Sequence, residues 1–339
     1  MSLAEYTTLR LGGPAGRLVV ATTDAEAIAA VRRTEPVLVL AGGSNVVIAD
    51  DGFPGTVVLL RQRGIEVSEE DGRVSVTVAA GEPWDDVVAT AVASGWSGIE
   101  SLSGIPGSAG ATPIQNVGAY GQEVAETIAS VRVFDRERDE VVTMPADACG
   151  FAYRISVFKH NERYVVLAAR FVLAVDRLST PIRYAELART LGVEPGDRSP
   201  LEDVRAAVLK LRAGKGMVLD PADPDTYSVG SFFTNPVLDG PAFATVRSSG
   251  AGEPAAWPSG DGGAKVSAAW LIERAGYGKG YGHEGTGVGV STKHTLALTN
   301  RGAGSTAALL GLAREIRDGV RARFGVELVP EPVLVNCAL

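Results

Sequence analysis

The chain has few of the residues that build disulfide frameworks and metal sites. Its 339 residues include two cysteines, Cys149 and Cys337, and three histidines. The cysteines form no CxxC pair, so we expect neither a disulfide framework nor a zinc site, and we predict no metal. We interpret both cysteines as small residues that fill the core.

The sequence also lacks long apolar runs and concentrated positive charge. No stretch approaches the roughly 18 apolar residues of a membrane span, and residues 1–6 have no signal-peptide character. The formal net charge is −8, and no Lys or Arg cluster is present to displace the counterions of a nucleic acid. We expect a cytoplasmic protein that binds neither membranes nor nucleic acids, with a monomer as the default state.

Local patterns predict a mixed fold of strands and helices. Residues 17–21 and 37–41 are typical of strands, and 23–26 form a capping box before a helix that ends near Arg32. Residues 56–80 alternate as in half-buried strands. A second capping box at 199–202, with proline at its first helical position, predicts a helix and marks the main domain boundary.

Two kinds of glycine-rich segment are candidates for ligand binding. Gly42, Gly43, Ser44 and Asn45 follow a predicted strand, so their amides suit an anion-binding nest, and a tight turn between strands is an equal alternative. The segment is neither a dinucleotide fingerprint nor a P-loop. Segments 103–110 and 113–121 have many backbone donors and few bulky side chains, as a flat isoalloxazine ring requires, although a loop-rich scaffold has the same composition.

Four polar residues stand out as candidates for chemistry. Arg154 offers two-point recognition of a carboxylate, or else an ordinary surface ion pair. Ser231, in the segment Gly-Ser-Phe-Phe-Thr-Asn-Pro, is either a turn serine or a proton donor whose alkoxide is stabilised nearby. Lys215 suits an anionic substrate. We place Glu331 inside an apolar strand, as a solvated edge carboxylate or a second proton-transfer group.

These motifs occur along nearly the whole chain in the order found in one family. The sequence resembles the flavin-dependent UDP-N-acetylenolpyruvoylglucosamine reductases, of the type with a tyrosine-bearing substrate loop. The resemblance implies an α+β fold, with a two-subdomain p-cresol methylhydroxylase-type FAD-binding fold and a C-terminal α+β substrate domain. On this interpretation the FAD-binding subdomains are 1–60 and 61–198, and 199–339 binds substrate and ends in a strand that returns to the active site.

The resemblance also implies a reaction and a set of site residues. NADPH would reduce FAD, and the enolpyruvyl group of UDP-N-acetylglucosamine-enolpyruvate would be reduced to UDP-N-acetylmuramate for peptidoglycan synthesis. A hydride would reach C3, Ser231 would protonate C2, and Arg154 and Glu331 would stabilise the developing charge. The implied FAD contacts are Gly42, Gly43, Ser44, Asn45, Gly104, Ile105, Pro106, Gly107, Ser108, Gln115, Asn116, Gly118, Ala119 and Tyr120. The implied substrate contacts are Tyr184, in the loop 180–187, with Lys215, Asn235 and His294.

Two other functions fit parts of the pattern. A carbohydrate or alcohol oxidase on the same flavin scaffold would use oxygen, but the segment around Ser231 argues against it. A non-catalytic UDP-sugar-binding protein would not need Ser231, Arg154 and Glu331 together.

The positions of the histidines predict a dissociable cofactor. His160, His283 and His294 leave the first 159 residues without a histidine, so we infer that the flavin-binding half offers none for covalent attachment. Acid precipitation should release FAD into the supernatant, measured by its absorbance. Flavin colour that stays in the protein pellet would contradict this prediction.

Overall fold

The computed structural model describes residues 1–32, 36–70, 72–260 and 262–339. Asp71, in the region predicted to be β-rich, and Asp261, in a glycine-rich loop without an assigned role, lie outside the described residues. The chain divides into two compact units. The larger unit comprises 15–43 and 54–218, and the smaller unit comprises 1–14, 44–53 and 219–339. The predicted division at 60 and 198 differs from these bounds and stays a prediction.

The strands, in chain order, are β1 (Ala15–Ala21), β2 (Val37–Leu40), β3 (Val46–Ile48), β4 (Phe53–Leu60), β5 (Ile65–Glu70), β6 (Arg73–Ala79), β7 (Trp96–Ser97), β8 (Gly118–Ala119), β9 (Gln122–Glu123), β10 (Ile128–Asp135), β11 (Glu140–Pro145), β12 (Tyr164–Val175), β13 (Val237–Leu238), β14 (Ala256–Pro258), β15 (Ala264–Val266), β16 (Val288–Val290), β17 (Leu298–Asn300) and β18 (Val333–Val335). The α-helices are α1 (Asp24–Val31), α2 (Trp84–Ser94), α3 (Ala185–Leu191), α4 (Leu201–Gly214), α5 (Gly240–Arg247), α6 (Ala268–Arg274) and α7 (Thr306–Phe324). Short 3₁₀ helices span Leu3–Tyr6, Glu100–Leu102, Ala109–Ala111, Val124–Glu126, Ala146–Cys149 and Pro224–Thr226.

The larger unit is built around an antiparallel sheet. Its strand order is β11-β10-β12-β6-β5, and β7 also pairs with β12. Val74, Val76 and Val78 of β6 are buried while the residues between them are not, which is the alternation that a strand with one buried face requires. The aromatic rings of Trp84 and Phe171 pack at 5.5 Å in this core. A second sheet has the order β1-β4-β2, with β2 and β4 parallel.

The two predicted capping boxes have different outcomes. The first is confirmed, because the Thr23 hydroxyl accepts from the Glu26 amide and the Glu26 carboxylate accepts from the Thr23 amide. The second capping box is wrong, since α4 begins at Leu201 after Pro200 without a side-chain cap, but the helix predicted there is confirmed. Ser199 instead exchanges hydrogen bonds with Ser179, through Ser179 N to Ser199 O at 2.8 Å and Ser199 N to Ser179 Oγ at 3.2 Å.

The smaller unit packs short sheets against the long helix α7. Its sheets have the orders β13-β15-β14, β16-β17 and β18-β3, and the last pair is parallel. Phe232 and Phe233 are fully buried in the core of this unit. Across the described residues, no helix combines the length and the apolar character needed to cross a membrane.

The core of the larger unit can be tested at Phe171. Because its ring is fully buried against Trp84, Phe171→Ala should lower the free energy of unfolding by about 3–5 kcal/mol. Val67→Ala, on β5 with the residue 48% exposed, is the control and should change the free energy of unfolding by less than about 0.5 kcal/mol. Guanidinium unfolding followed by circular dichroism measures both, and equal losses would contradict the assignment of the core.

Candidate active site

Two glycine-bearing loops of the larger unit meet at Gly42 and Gly107. A Cβ placed on Gly42 would lie 2.4 Å from the Cα of Gly107, which no side chain permits. Gly43 has a φ of 60° and Gly107 a φ of 118°, both in the region that favours glycine. The Gly107 carbonyl accepts from the Trp84 amide at 3.0 Å, at the start of α2. Glycine is therefore needed at Gly42 so that the two backbones can approach closely. Loops that bind a ligand through their backbone use glycine for the same reason.

Ser108 lies at this junction with an unsatisfied hydroxyl. Its side chain is buried, and its Oγ has no hydrogen-bond partner among the described residues. A buried hydroxyl without a partner costs free energy, and such groups are uncommon in native proteins. A ligand with hydrogen-bonding oxygens bound at the loop would satisfy it.

Carboxylates fix the rest of this glycine-rich region. Asp85 accepts the Gly104 amide at 2.6 Å and forms a two-point ion pair with Arg205 at 2.7 and 2.9 Å. Burial alone would raise the pKa of Asp85, but Arg205 and the Gly104 amide hold that pKa below its usual value. The carboxylate is therefore kept charged, and it anchors the loop to α2 and α4.

Arg154 is held beside the second glycine-rich segment. Its Nη2 donates to the Gly118 carbonyl at 2.7 Å and its Nη1 to the Asn116 carbonyl at 3.2 Å. Glu123 pairs with the same guanidinium at 3.3 Å. Arg154 has a φ of 58°, which costs about 1–2 kcal/mol for an arginine, and Asn116 has a φ of 45°, which asparagine tolerates better. The structure thus brings Arg154 and the predicted FAD segment together.

A tyrosine pair joins the predicted FAD segment to the predicted substrate loop. The rings of Tyr120 and Tyr184 lie edge to face with centroids 5.5 Å apart. Burial raises the pKa of Tyr120 to about 12, so its hydroxyl stays neutral at physiological pH. Lys215 lies 5.7 Å from the Tyr120 ring centroid and pairs with Glu186 at 2.5 Å. Three of the predicted contacts therefore form one cluster.

Ser231 and Glu331 lie on neighbouring segments of the smaller unit. The Phe232 amide donates to the Leu296 carbonyl at 2.7 Å, and the Glu331 amide donates to the Phe232 carbonyl at 2.9 Å. Ser231 is half-buried, and Gly230 before it has a φ of 75°. Glu331 precedes β18, which begins at Val333, so its predicted place inside a strand is wrong. An isolated antiparallel bridge between Phe233 and Pro330 instead holds Glu331 beside the Ser231 segment.

The smaller unit also contains four of the other predicted contacts. The Asn45 carbonyl accepts the Val333 amide at 3.0 Å, which brings Ser44 and Asn45 near the Glu331 segment. The Asn235 Oδ1 accepts the Ala268 amide at 2.9 Å, in the first turn of α6. His294 lies in the turn before Leu296, whose carbonyl holds the Ser231 segment.

Sequence reasoning missed the acidic residues that fix these turns. Asp225 accepts the Thr292 amide at 2.9 Å and the Thr292 hydroxyl, and Lys293 pairs with Asp223 at 2.5 Å. These contacts set the turn that bears His294. They join residues about 70 positions apart, so no local pattern could have indicated them.

Two family models match the chain. The model of the C-terminal domain of UDP-N-acetylenolpyruvoylglucosamine reductase matches residues 221–335. The model of an FAD binding domain matches residues 15–144. His160 lies beyond the second match but within the larger unit, so the absence of histidine holds for residues 1–159 and not for that whole unit.

Curated relatives match along almost the full chain. UDP-N-acetylenolpyruvoylglucosamine reductase of Salinispora arenicola is 62% identical over 345 residues, which cover 99% of this chain and 95% of the relative. The protein of that name from Thermobifida fusca is 57% identical over 350 residues, which cover 99% of this chain and 97% of the relative.

A solved structure confirms the fold class. The crystal structure of UDP-N-acetylenolpyruvylglucosamine reductase (MurB) from Thermus caldophilus matches with a TM-score of 0.68 at 24% identity, covering 99% of this chain and 97% of that chain. At this identity the likeness shows the fold alone. Together with the FAD binding domain model, it confirms the predicted α+β fold with a p-cresol methylhydroxylase-type FAD-binding part and a C-terminal domain.

The unsatisfied hydroxyl of Ser108 gives a test of the cofactor cradle. Ser108→Ala should weaken FAD binding roughly tenfold, because a hydrogen bond to a charged group is lost. The same change should leave the stability of the FAD-free protein unchanged or higher, since an unpaired buried hydroxyl is removed. FAD titration and thermal unfolding measure the two effects.

Thr112→Val is the matched control for this test. The Thr112 hydroxyl already donates to the Ala109 carbonyl at 2.8 Å, so its loss should lower stability and leave FAD affinity nearly unchanged. An unaltered FAD affinity in Ser108→Ala would remove Ser108 from the cofactor site.

Proposed function

Because the chain belongs to the UDP-N-acetylenolpyruvoylglucosamine reductase family, we propose that it reduces the enolpyruvyl group of UDP-N-acetylglucosamine-enolpyruvate to UDP-N-acetylmuramate. NADPH is the electron donor, and the product is a precursor of peptidoglycan. The reaction adds one hydride to C3 and one proton to C2 of the carbon–carbon double bond. The protein must therefore bind an anionic substrate, stabilise charge at C2 and supply a proton there.

Most of the residues that we assign to FAD belong to the larger unit, and Ser44 and Asn45 belong to the smaller unit. Gly42 and Gly107 approach too closely for a side chain on Gly42, and the Ser108 hydroxyl lacks a partner among the described residues. Both features suit a phosphate-bearing ligand. When bound, FAD supplies hydride transfer from NADPH to the substrate. The residues we assign to it are Gly42, Gly43, Ser44, Asn45, Gly104, Ile105, Pro106, Gly107, Ser108, Gln115, Asn116, Gly118, Ala119 and Tyr120.

The observation that carries the proposal is the fixed guanidinium of Arg154. Two backbone carbonyls and Glu123 hold it in place, on a backbone that is itself in the left-handed region. Strained residues held by several bonds are typical of functional sites. A fixed, planar cation binds the substrate carboxylate and stabilises the negative charge that delocalises from C2 onto it.

Ser231 is the group that we assign to the proton transfer. The π electrons of the double bond move to C2 as the hydride reaches C3, and the Ser231 Oγ proton then passes to C2. Serine is a weak acid, so the resulting alkoxide must be short-lived and regain its proton from solvent. Glu331 is fixed to the same segment through the Phe232 carbonyl, and we assign it as a second proton-transfer or polarising group.

The remaining contacts suit the UDP-sugar. Tyr184 lies in the loop 180–187, and we propose that this loop closes over the substrate. Lys215 would bind the negatively charged diphosphate, for which it must exchange its ion pair with Glu186. Asn235 uses its Oδ1 at α6, so its amide nitrogen is the group left for substrate. His294 is assigned on its place in the turn before Leu296. A monomeric, cytoplasmic enzyme stays our prediction from the sequence.

An anaerobic visible spectrum of the FAD-bound protein tests both half-reactions. NADPH should bleach the flavin, and UDP-N-acetylglucosamine-enolpyruvate should restore its colour. In Ser231→Ala, bleaching should be unchanged, but recovery should slow by on the order of 100-fold or more, because a proton donor is lost. Stopped-flow absorbance measures both rates.

Thr234→Val is the control in the same segment and should keep both rates. Its hydroxyl contacts the Val329 carbonyl at 3.4 Å and has no assigned role. Recovery at full rate in Ser231→Ala would refute the proton-donor assignment. A wild-type flavin that bleaches with NADPH but never recovers with this substrate would refute the proposed function.

A further inference from the structure

A fully buried carboxylate joins three segments of the larger unit. Glu100 has no exposed surface. Its Oε2 accepts the Gly98 amide at 2.6 Å, and its Oε1 accepts the Thr180 amide at 2.8 Å and the Gln122 Nε2 at 2.9 Å. All three donors are neutral. A carboxylate at this position must be held by well-aligned hydrogen bonds, because burial of its charge is otherwise very unfavourable.

The partners of Glu100 are also bonded to one another. The Gln122 Nε2 donates to the Thr180 hydroxyl at 2.7 Å, and the Gln122 Oε1 accepts the Ser101 amide at 2.8 Å. The Thr180 hydroxyl also lies 3.3 Å from Glu100 Oε1. The result is a closed network in which each member fixes the others.

Two of these segments carry residues of the proposed site. Gln122 belongs to the β8–β9 hairpin, which also bears Tyr120. Thr180 begins the loop that leads to Tyr184, and the two tyrosine rings pack edge to face. Arg183, just before Tyr184, donates to the Gly121 carbonyl at 3.3 Å. The buried network therefore connects the β8–β9 hairpin to the start of the substrate loop, beside the place where the two segments contact each other.

We propose that Glu100 is a positioning residue that sets the place of Tyr184 by binding the start of its loop and the β8–β9 hairpin to one buried carboxylate. The inference rests on the proposed function, in which Tyr184 contacts the UDP-sugar. Both oxygens of Glu100 accept from N–H donors. A glutamine of the same size would direct an NH₂ group at an N–H donor, whichever way its amide is turned.

Glu100→Gln in the FAD-bound enzyme is the test. Displacement of the loop should raise the KM for the UDP-sugar about tenfold or more, while the rate of flavin bleaching by NADPH stays within about twofold of wild type. Thr180→Val, which removes one hydroxyl from the network, should shift KM in the same direction by less. It keeps the proposal testable if Glu100→Gln does not fold.

Glu26→Gln is the matched control. The Glu26 carboxylate also accepts several donors, from Thr22 and Thr23, but it is exposed at the start of α1 and none of these residues is assigned to the site. Its KM should equal that of wild type. A steady-state assay and stopped-flow bleaching give the two readings for every variant.

A double-mutant cycle with Tyr184→Phe separates positioning from general destabilisation. If Glu100 acts through Tyr184, Glu100→Gln should add little to the KM of a Tyr184→Phe enzyme. Fully additive effects, or an equal loss in flavin bleaching, would overturn the inference while the proposed function stands. A wild-type enzyme that does not turn over the substrate would remove the proposed function and this inference together.

Discussion

The constraint on which the larger unit depends is the close approach of two backbones at Gly42 and Gly107. A Cβ on Gly42 would overlap the Gly107 Cα at 2.4 Å, so a side chain there would push the loops apart. The same loop is fixed on its other side, where a Cβ on Gly110 would lie 2.5 Å from that of Ala80. Glycine at these positions permits the close backbone packing that holds Ser108, whose buried hydroxyl has no partner among the described residues.

Long irregular loops need partners for their backbone groups, and here buried or half-buried carboxylates provide many of them. Asp85 binds Gly104 and Arg205, Glu100 binds Gly98 and Thr180, and Glu123 binds Asn116 and Arg154. Each carboxylate connects segments that are distant in the sequence. The geometry of the proposed site therefore depends on charges that do not themselves touch a ligand in our assignment.

The sequence predicts elements whose causes are local, and it fails where distant residues decide. The capping box at Thr23 is correct because its hydrogen bonds lie within four residues. The capping box at Ser199 is wrong because the backbone N–H and C=O of Ser199 form hydrogen bonds with Ser179, which lies twenty residues away. The contact of Arg154 with Gly118 and the bond between Glu100 and Thr180 span 36 and 80 positions. Family resemblance pointed to Arg154, but no pattern indicated Glu100.

The two principal residues of the proposed chemistry are positioned by different means, and this affects how their loss must be interpreted. The Ser231 segment is held by backbone hydrogen bonds at Phe232 and by two buried rings. Removal of the Ser231 hydroxyl leaves all of these contacts in place, so a slower reaction would report on proton transfer. Arg154 is held through its own guanidinium, and its removal also frees the carbonyls of Asn116 and Gly118. A substitution of Arg154 therefore changes the charge of the site and its backbone geometry together. A substitution of Ser231 removes only the hydroxyl, so its effect can be assigned to proton transfer.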